Sequence, residues 1–196
     1  MADLSPAGAL ELLQAGNARF VAGTPRSEPF GARVAALANG QRPFAVVLGC
    51  SDSRVPVEIV FDQAPGSLFV VRVAGNFLNR DGLGSIEFAI DALKSRLVVV
   101  LGHENCGAVG AALKYVQDGK TQPGHIQELV NAIAPAVTAT RDAAGDWHEN
   151  AIARNVELSV KAMTDGSQIV SDAVARGDAQ VIGGIYSVRT GLVTFS

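Results

Sequence analysis

Cysteine and histidine are scarce in this sequence, with two cysteines and three histidines among 196 residues. Two cysteines cannot build a disulfide framework, so in a reducing compartment they serve as ligands, nucleophiles or buried packing residues. Blocks of like charge are also missing. The 16 Lys and Arg are interspersed with 19 Asp and Glu, for a formal charge of −3. That balance offers no electrostatic footprint to nucleic acid, and no nucleic-acid partner is expected. Apolar runs break off after a few residues at a glycine or a charge, far short of the roughly 20 needed to cross a bilayer, so no membrane span is expected. The segment Met1-Ala-Asp-Leu-Ser-Pro6 has neither a basic nor an apolar signal region. The expected setting is therefore cytoplasmic, and a removed leader would leave the same reading. Repeats and low-complexity segments are absent as well. What is present is a chain of one domain's length that is 48% apolar, enough to close one core.

The order of elements points to an α/β fold. Residues 44–48, 68–73 and 97–101 are short, β-branched and almost continuously apolar, as strands buried on both faces of a parallel sheet are. Between the last two, Ile86, Ile90 and Leu93 recur at helical spacing, which makes a βαβ crossover. Ser5-Pro6 caps a first amphipathic helix that ends at Gly23, and a short helix is expected over residues 32–38. Further helices are expected from Cys106 to about Gln117, from Pro123-Gly124 through Pro135 to Arg141, and over residues 149–164 and 167–176. Residues 180–188 and 192–195 then supply a last buried strand and an edge strand. The expectation is a single domain over residues 1–196. Residues 1–42 form an N-terminal helical arm and connection, and residues 43–196 form an α/β core. Its sheet is mostly parallel, with about four strands plus an antiparallel edge strand, flanked by helices.

Two strand runs end alike. Val46-Val-Leu-Gly49 leads into Cys50, and Val99-Val-Leu-Gly102 leads into His103, so each delivers a metal-capable side chain at the carboxyl end of a parallel strand. Cys106 stands three residues past His103. Together they make a Cys₂His set that suits Zn²⁺ and leaves a fourth position open, the arrangement of a catalytic site. The alternative is that both cysteines are small buried packing residues and His103 a satisfied loop histidine. His125 and His148 lie in polar surroundings and read as surface residues. Asp52, two past Cys50, can bind the metal or accept a hydrogen bond beside it, and Arg54 can fork onto its carboxylate. A cysteine nucleophile for phosphate or sulfur transfer is disfavoured, because Asp52 would repel an anionic substrate.

Cys50-Ser-Asp-Ser-Arg-Val-Pro56 together with His103-Glu-Asn-Cys106-Gly-Ala108 resembles the signature pair of the β-class carbonic anhydrases, and the similarity extends over about residues 5–195. The resemblance implies a zinc lyase interconverting CO₂ and bicarbonate with one Zn²⁺ per chain. It also implies a homodimer or tetramer whose N-terminal arm wraps the partner. Cys50, His103 and Cys106 match the zinc ligands, and Asp52 and Arg54 match the catalytic dyad. Gln41 matches a substrate-binding glutamine, and Phe69, Ala74 and Phe88 match the apolar pocket, partly across the dimer seam. Phe88 replaces a tyrosine of some members. Val47 stands where members regulated by a second bicarbonate carry tryptophan, so that regulation is not expected.

The implied mechanism is attack on CO₂ by zinc-bound hydroxide, oriented by the Asp52–Arg54 dyad. Two thiolates offset the charge of the ion, so activity is expected to rise into alkaline pH. In a closed state Asp52 would leave Arg54 and become the fourth zinc ligand. Two other functions use the same residues: hydrolysis of carbonyl sulfide or carbon disulfide at the zinc, and a non-catalytic structural zinc site.

Overall fold

Five strands form one sheet: β1 (Ala45–Gly49), β2 (Leu68–Arg72), β3 (Leu97–His103), β4 (Gln180–Tyr186) and β5 (Val193–Phe195), in the spatial order β2-β1-β3-β4-β5. The first four run parallel, and β5 returns antiparallel to β4. The computed structural model describes residues 4–26, 31 and 34–196. The start of the N-terminal segment and residues 32 and 33 of the expected short helix lie outside these. The remainder of that helix is α2 (Val34–Leu37).

Both central strands are buried along their whole length, which is why they read as unbroken apolar runs. Their side chains nevertheless alternate. Ala45, Val47, Leu97, Val99 and Leu101 face α1 (Pro6–Val21) and α3 (Val57–Val60), meeting Ala9, Leu13, Val57, Val60 and Phe61. Val46, Leu48, Val98 and Val100 face the other way, onto Ile86, Ala89 and Ile90 of α4 (Arg80–Asp91). They also meet Val156 and Met163 of α7 (Trp147–Gly166) and Val170 and Ala173 of α8 (Gln168–Ala175). Each such Val or Leu contributes about 1.5–3 kcal/mol on burial. A third cluster caps the carboxyl ends of the strands. There α5 (Gly107–Asp118), α6 (Ile126–Ala139) and the start of α7 enclose Cys50 and Cys106 with Val109, Ile133 and Ile152.

Pro6 occupies the first turn of α1, and Ser5 Oγ accepts the Gly8 amide at 3.1 Å, as the capping signal requires. The helix expected as an arm is packed into its own chain. Gly16 passes so close to Phe61 that a Cβ there would overlap the Phe61 carbonyl. Buried Asn17 donates through Nδ2 to the carbonyls of Val60 (3.1 Å) and Gly191 (2.8 Å), and its Oδ1 accepts the Val193 amide at 2.9 Å. One side chain thus ties α1 to α3 and to the turn before β5. No helix among the described residues is long and apolar enough to cross a membrane.

Candidate metal centre

Register brings the ligands together. Gly49 pairs with Leu101, so the residue that follows, Cys50, leaves the sheet level with Gly102, one step before His103. The glycines before the ligands have a packing reason. A Cβ on Gly102 would come within 2.7 Å of Val156 Cγ2, and one on Gly49 within 3.3 Å of Val57 Cγ2. Cys106 is the N-cap of α5, and Asn105 before it takes a positive φ of 53° to turn the chain. The donor atoms of Cys50, His103 and Cys106 all lie within 4.8 Å of one another, and all three residues are buried. Among the described residues this is the one group of its kind.

His103 Nδ1 lies 2.9 Å from the Glu104 carbonyl, to which it donates. That bond fixes the tautomer and leaves the Nε2 lone pair directed at the two sulfurs. Nε2 is fully buried and makes no hydrogen bond. Two soft sulfurs, one imidazole nitrogen with no other partner and a three-residue donor set suit a tetrahedral Zn²⁺ with one position open. The site thus fits the ion on its own chemistry.

Its electrostatics are those of a coupled thiol pair. The neighbouring Cys106 pulls the Cys50 thiol well down, against its burial, with help from His103 and the Gly75 amide, which donates to Cys50 Sγ at 3.2 Å. Cys106 is pushed up in return by Cys50 and by burial. Burial opposes protonation of His103, but the nearby Cys50 sulfur and Asp52 carboxylate outweigh it and raise its pKa.

Asp52 stands at the rim of the cluster, with Oδ2 3.8 Å from His103 Nε2. Arg54 grips it at three points: Nε to Oδ1 (2.9 Å), Nη2 to Oδ2 (2.7 Å) and the backbone amide to Oδ1 (2.9 Å). The fork of Arg54 holds the Asp52 carboxyl well below the usual carboxylate range. Arg54 Nη2 also reaches the Asn105 carbonyl at 3.3 Å, joining the Cys50 loop to the Cys106 loop.

Pattern reading missed four supports. Arg72, the last residue of β2, donates from Nε to the Cys50 carbonyl (2.9 Å) and from Nη2 to the Asp52 carbonyl (2.6 Å), pinning the ligand loop from the neighbouring strand. Gly75 is the amide donor to Cys50. Asn155 Nδ2 donates to the Gly75 carbonyl at 2.8 Å. His148, expected at the surface, is instead half-buried and donates from Nε2 to the Cys106 carbonyl at 3.0 Å. Its partner is 42 residues away, and no local pattern signals it. His125 is exposed, as expected.

The remaining site expectations fall elsewhere within the chain. Gln41 is exposed just before β1, and that five-residue strand puts it roughly 16 Å or more along the sheet from Cys50. Phe69 pairs with Val46, toward the same far end, and its ring lies 6.3 Å from that of Phe88, which is 53% exposed on α4. Ala74 is half-buried beside Gly75. The structure thus gathers Cys50, His103, Cys106, Asp52 and Arg54, leaves Phe69 and Phe88 at the open β2 edge, and leaves Gln41 on the exposed segment before β1.

The family model described as carbonic anhydrase matches residues 45–193. This chain belongs to the carbonic anhydrase family. It is 40% identical over 193 residues to carbonic anhydrase 2 of Mycobacterium tuberculosis, covering 97% of this chain and 93% of that one. Among solved structures it resembles a Coccomyxa β-carbonic anhydrase in complex with acetazolamide, at TM-score 0.73 and 29% identity over 99% of this chain and 86% of that one. It also resembles the tetrameric β-carbonic anhydrases of Sordaria macrospora, at TM-score 0.71 and 27% identity over 84% and 86%. These place the chain in the β class, and the five-stranded, mostly parallel sheet agrees with the sequence expectation.

Proposed function

We propose that this protein catalyses the reversible hydration of CO₂ to bicarbonate and a proton, with one Zn²⁺ per chain held by Cys50, His103 and Cys106. The observation that carries the reading is the buried Cys₂His cluster, with its unpartnered imidazole nitrogen, lying beside a carboxylate that Arg54 keeps ionised. Zinc held there supplies a Lewis acid that turns water into a nucleophile at neutral pH.

The chain's own groups supply the orientation. Asp52 stays an acceptor, because Arg54 depresses its pKa, and so it takes a hydrogen bond from the attacking water and directs a lone pair toward the CO₂ carbon. Arg54 and Arg72 hold that carboxylate in place, one from the side chain and one through the loop. Binding of Asp52 to the metal would compete with the fork of Arg54 on its carboxylate, which favours the open arrangement as the working state. Gln41, Phe69 and Phe88 contribute only from a second copy across the β2 edge, with Ala74 lining the pocket within the chain. The protein accordingly works as a homo-oligomer. The half-exposed apolar edge of β2, the exposed Phe88 and the tetrameric relatives support this.

The test is stopped-flow CO₂ hydration with the zinc-loaded protein and with Asp52→Asn. The parent is expected to turn over CO₂, and the variant to keep its zinc and lose most of that activity. Turnover of carbonyl sulfide or carbon disulfide alone would overturn the substrate, and full activity in Asp52→Asn would remove Asp52 from the mechanism.

A further inference from the structure

We propose that one face of α7 is the outer shell of the metal centre, with His148 and Asn155 as positioning residues for the two cysteine ligands. The two lie seven residues apart, two helical turns, and so share a face. His148 donates to the Cys106 carbonyl at 3.0 Å. Asn155, 3% exposed, donates to the Gly75 carbonyl at 2.8 Å, and the Gly75 amide in turn donates to Cys50 Sγ at 3.2 Å. Between them Ile152, with Val156 beside it, packs onto Gly102, the residue before His103: a Cβ there would meet them at 3.4 and 2.7 Å. A single rigid helix therefore touches the segments that carry all three ligands.

The chemistry of these contacts favours a role at the metal over simple packing. Asn155 is a polar side chain buried among Ala151, Ile152, Val156 and Ser159 of its own helix, where leucine would pack at lower desolvation cost. Its bond holds Gly75 in a left-handed conformation, φ +85°, that aims the amide at the sulfur. An amide donating to a thiolate withdraws charge from it, and fixing both sulfurs lowers the reorganisation needed to bind an ion. Outer-shell partners of this kind are worth about 10–100-fold in metal affinity.

The inference rests on zinc binding at Cys50, His103 and Cys106, and the experiment separates the two. Zinc affinity is measured by competition with a chromophoric chelator for the parent, Asn155→Leu, His148→Phe and His148→Gln. The thiolate-to-cobalt absorption of each Co²⁺-substituted protein and the circular dichroism of each metal-free protein are recorded alongside. Asn155→Leu and His148→Phe are expected to bind zinc at least tenfold more weakly, with a shifted cobalt band and a folded metal-free state. His148→Gln, whose amide can reach the same carbonyl, is expected to recover most of the affinity. Parental affinity and spectrum in both variants overturn the inference. So does weakened binding that only follows loss of the metal-free fold, or a His148→Gln protein no better than His148→Phe. A parent that binds no zinc refutes the metal-site reading itself.

Discussion

Replacing Gly75 with alanine tests how far the fold and the site are one structure. Gly75 sits at φ +85°, where a residue with a Cβ carries about 1–3 kcal/mol of strain. That Cβ would also lie 2.4 Å from Ile133 Cδ1 and 3.1 Å from Ala108 Cβ. Ile133 is completely buried on α6, so displacing its Cδ1 overpacks the cluster and adds about 1–3 kcal/mol. The expected loss is about 2–6 kcal/mol, a large fraction of the ~5–15 kcal/mol that holds a typical domain together. Strain relieved by moving the 74–76 segment would draw the Gly75 amide away from Cys50 Sγ, so zinc affinity should fall as well. Urea unfolding of the metal-free protein reads the first effect as a lower midpoint with an unchanged slope, and chelator competition reads the second. A stability change under about 1 kcal/mol with parental zinc binding would refute the claim that the loop needs glycine.

Asn17→Leu leaves the Val60 and Gly191 carbonyls and the Val193 amide without their partner. At about 1–3 kcal/mol for each buried orphan it should cost about 3 kcal/mol or more in urea unfolding, while the folded fraction keeps the parental kcat/KM. Cys50→Ser and His103→Ala should each lose bound zinc and CO₂ hydration together, measured by metal analysis and stopped flow; activity without zinc would contradict the site. Arg54→Gln should move the acid limb of the activity profile to higher pH. Asp52 has a pKa depressed by Arg54, so its charge persists below the ordinary carboxylate range and is lost only as pH falls through the lowered value. Without Arg54 that value returns toward ~4. An unchanged acid limb between pH 4 and 6 would show that Asp52 does not need its arginine.

The parts of this site that sequence makes visible are those in which chemistry and periodicity coincide. Val46-Val-Leu-Gly-Cys50 and Val99-Val-Leu-Gly-His103 announce both a buried strand and a ligand at its end, and their register then places the ligands side by side. Ser5-Pro6 announces α1 for a similarly local reason. Arg72, Gly75, His148 and Asn155 carry no such signal. Their partners lie 20 to 80 residues away, and only the assembled packing makes an arginine at the end of β2 a clamp on the Cys50 loop. The four-residue α3 escaped notice because one turn of helix has no periodicity to read.

The ligand-bearing ends of β1 and β3 differ in what holds them. The segment after β1 is exposed at Ser51, Ser53 and Arg54, with Asp52 half-buried, and is pinned by side-chain bonds from Arg72 and Arg54. His103, by contrast, ends a strand paired through its last residue with Tyr186 of β4 and is held by the sheet itself. The imidazole is thus the fixed reference of the cluster, while Cys50 and Asp52 ride on a short loop whose position is set by two arginines. A side chain that must turn a substrate toward its attacker gains from such a mount. Charge-assisted bonds from the two arginines hold the loop in one geometry. It follows that changes at Arg54 or Arg72 should disturb catalysis before they disturb the fold, whereas changes at Gly102 or Val156, where α7 presses on β3, should do the reverse.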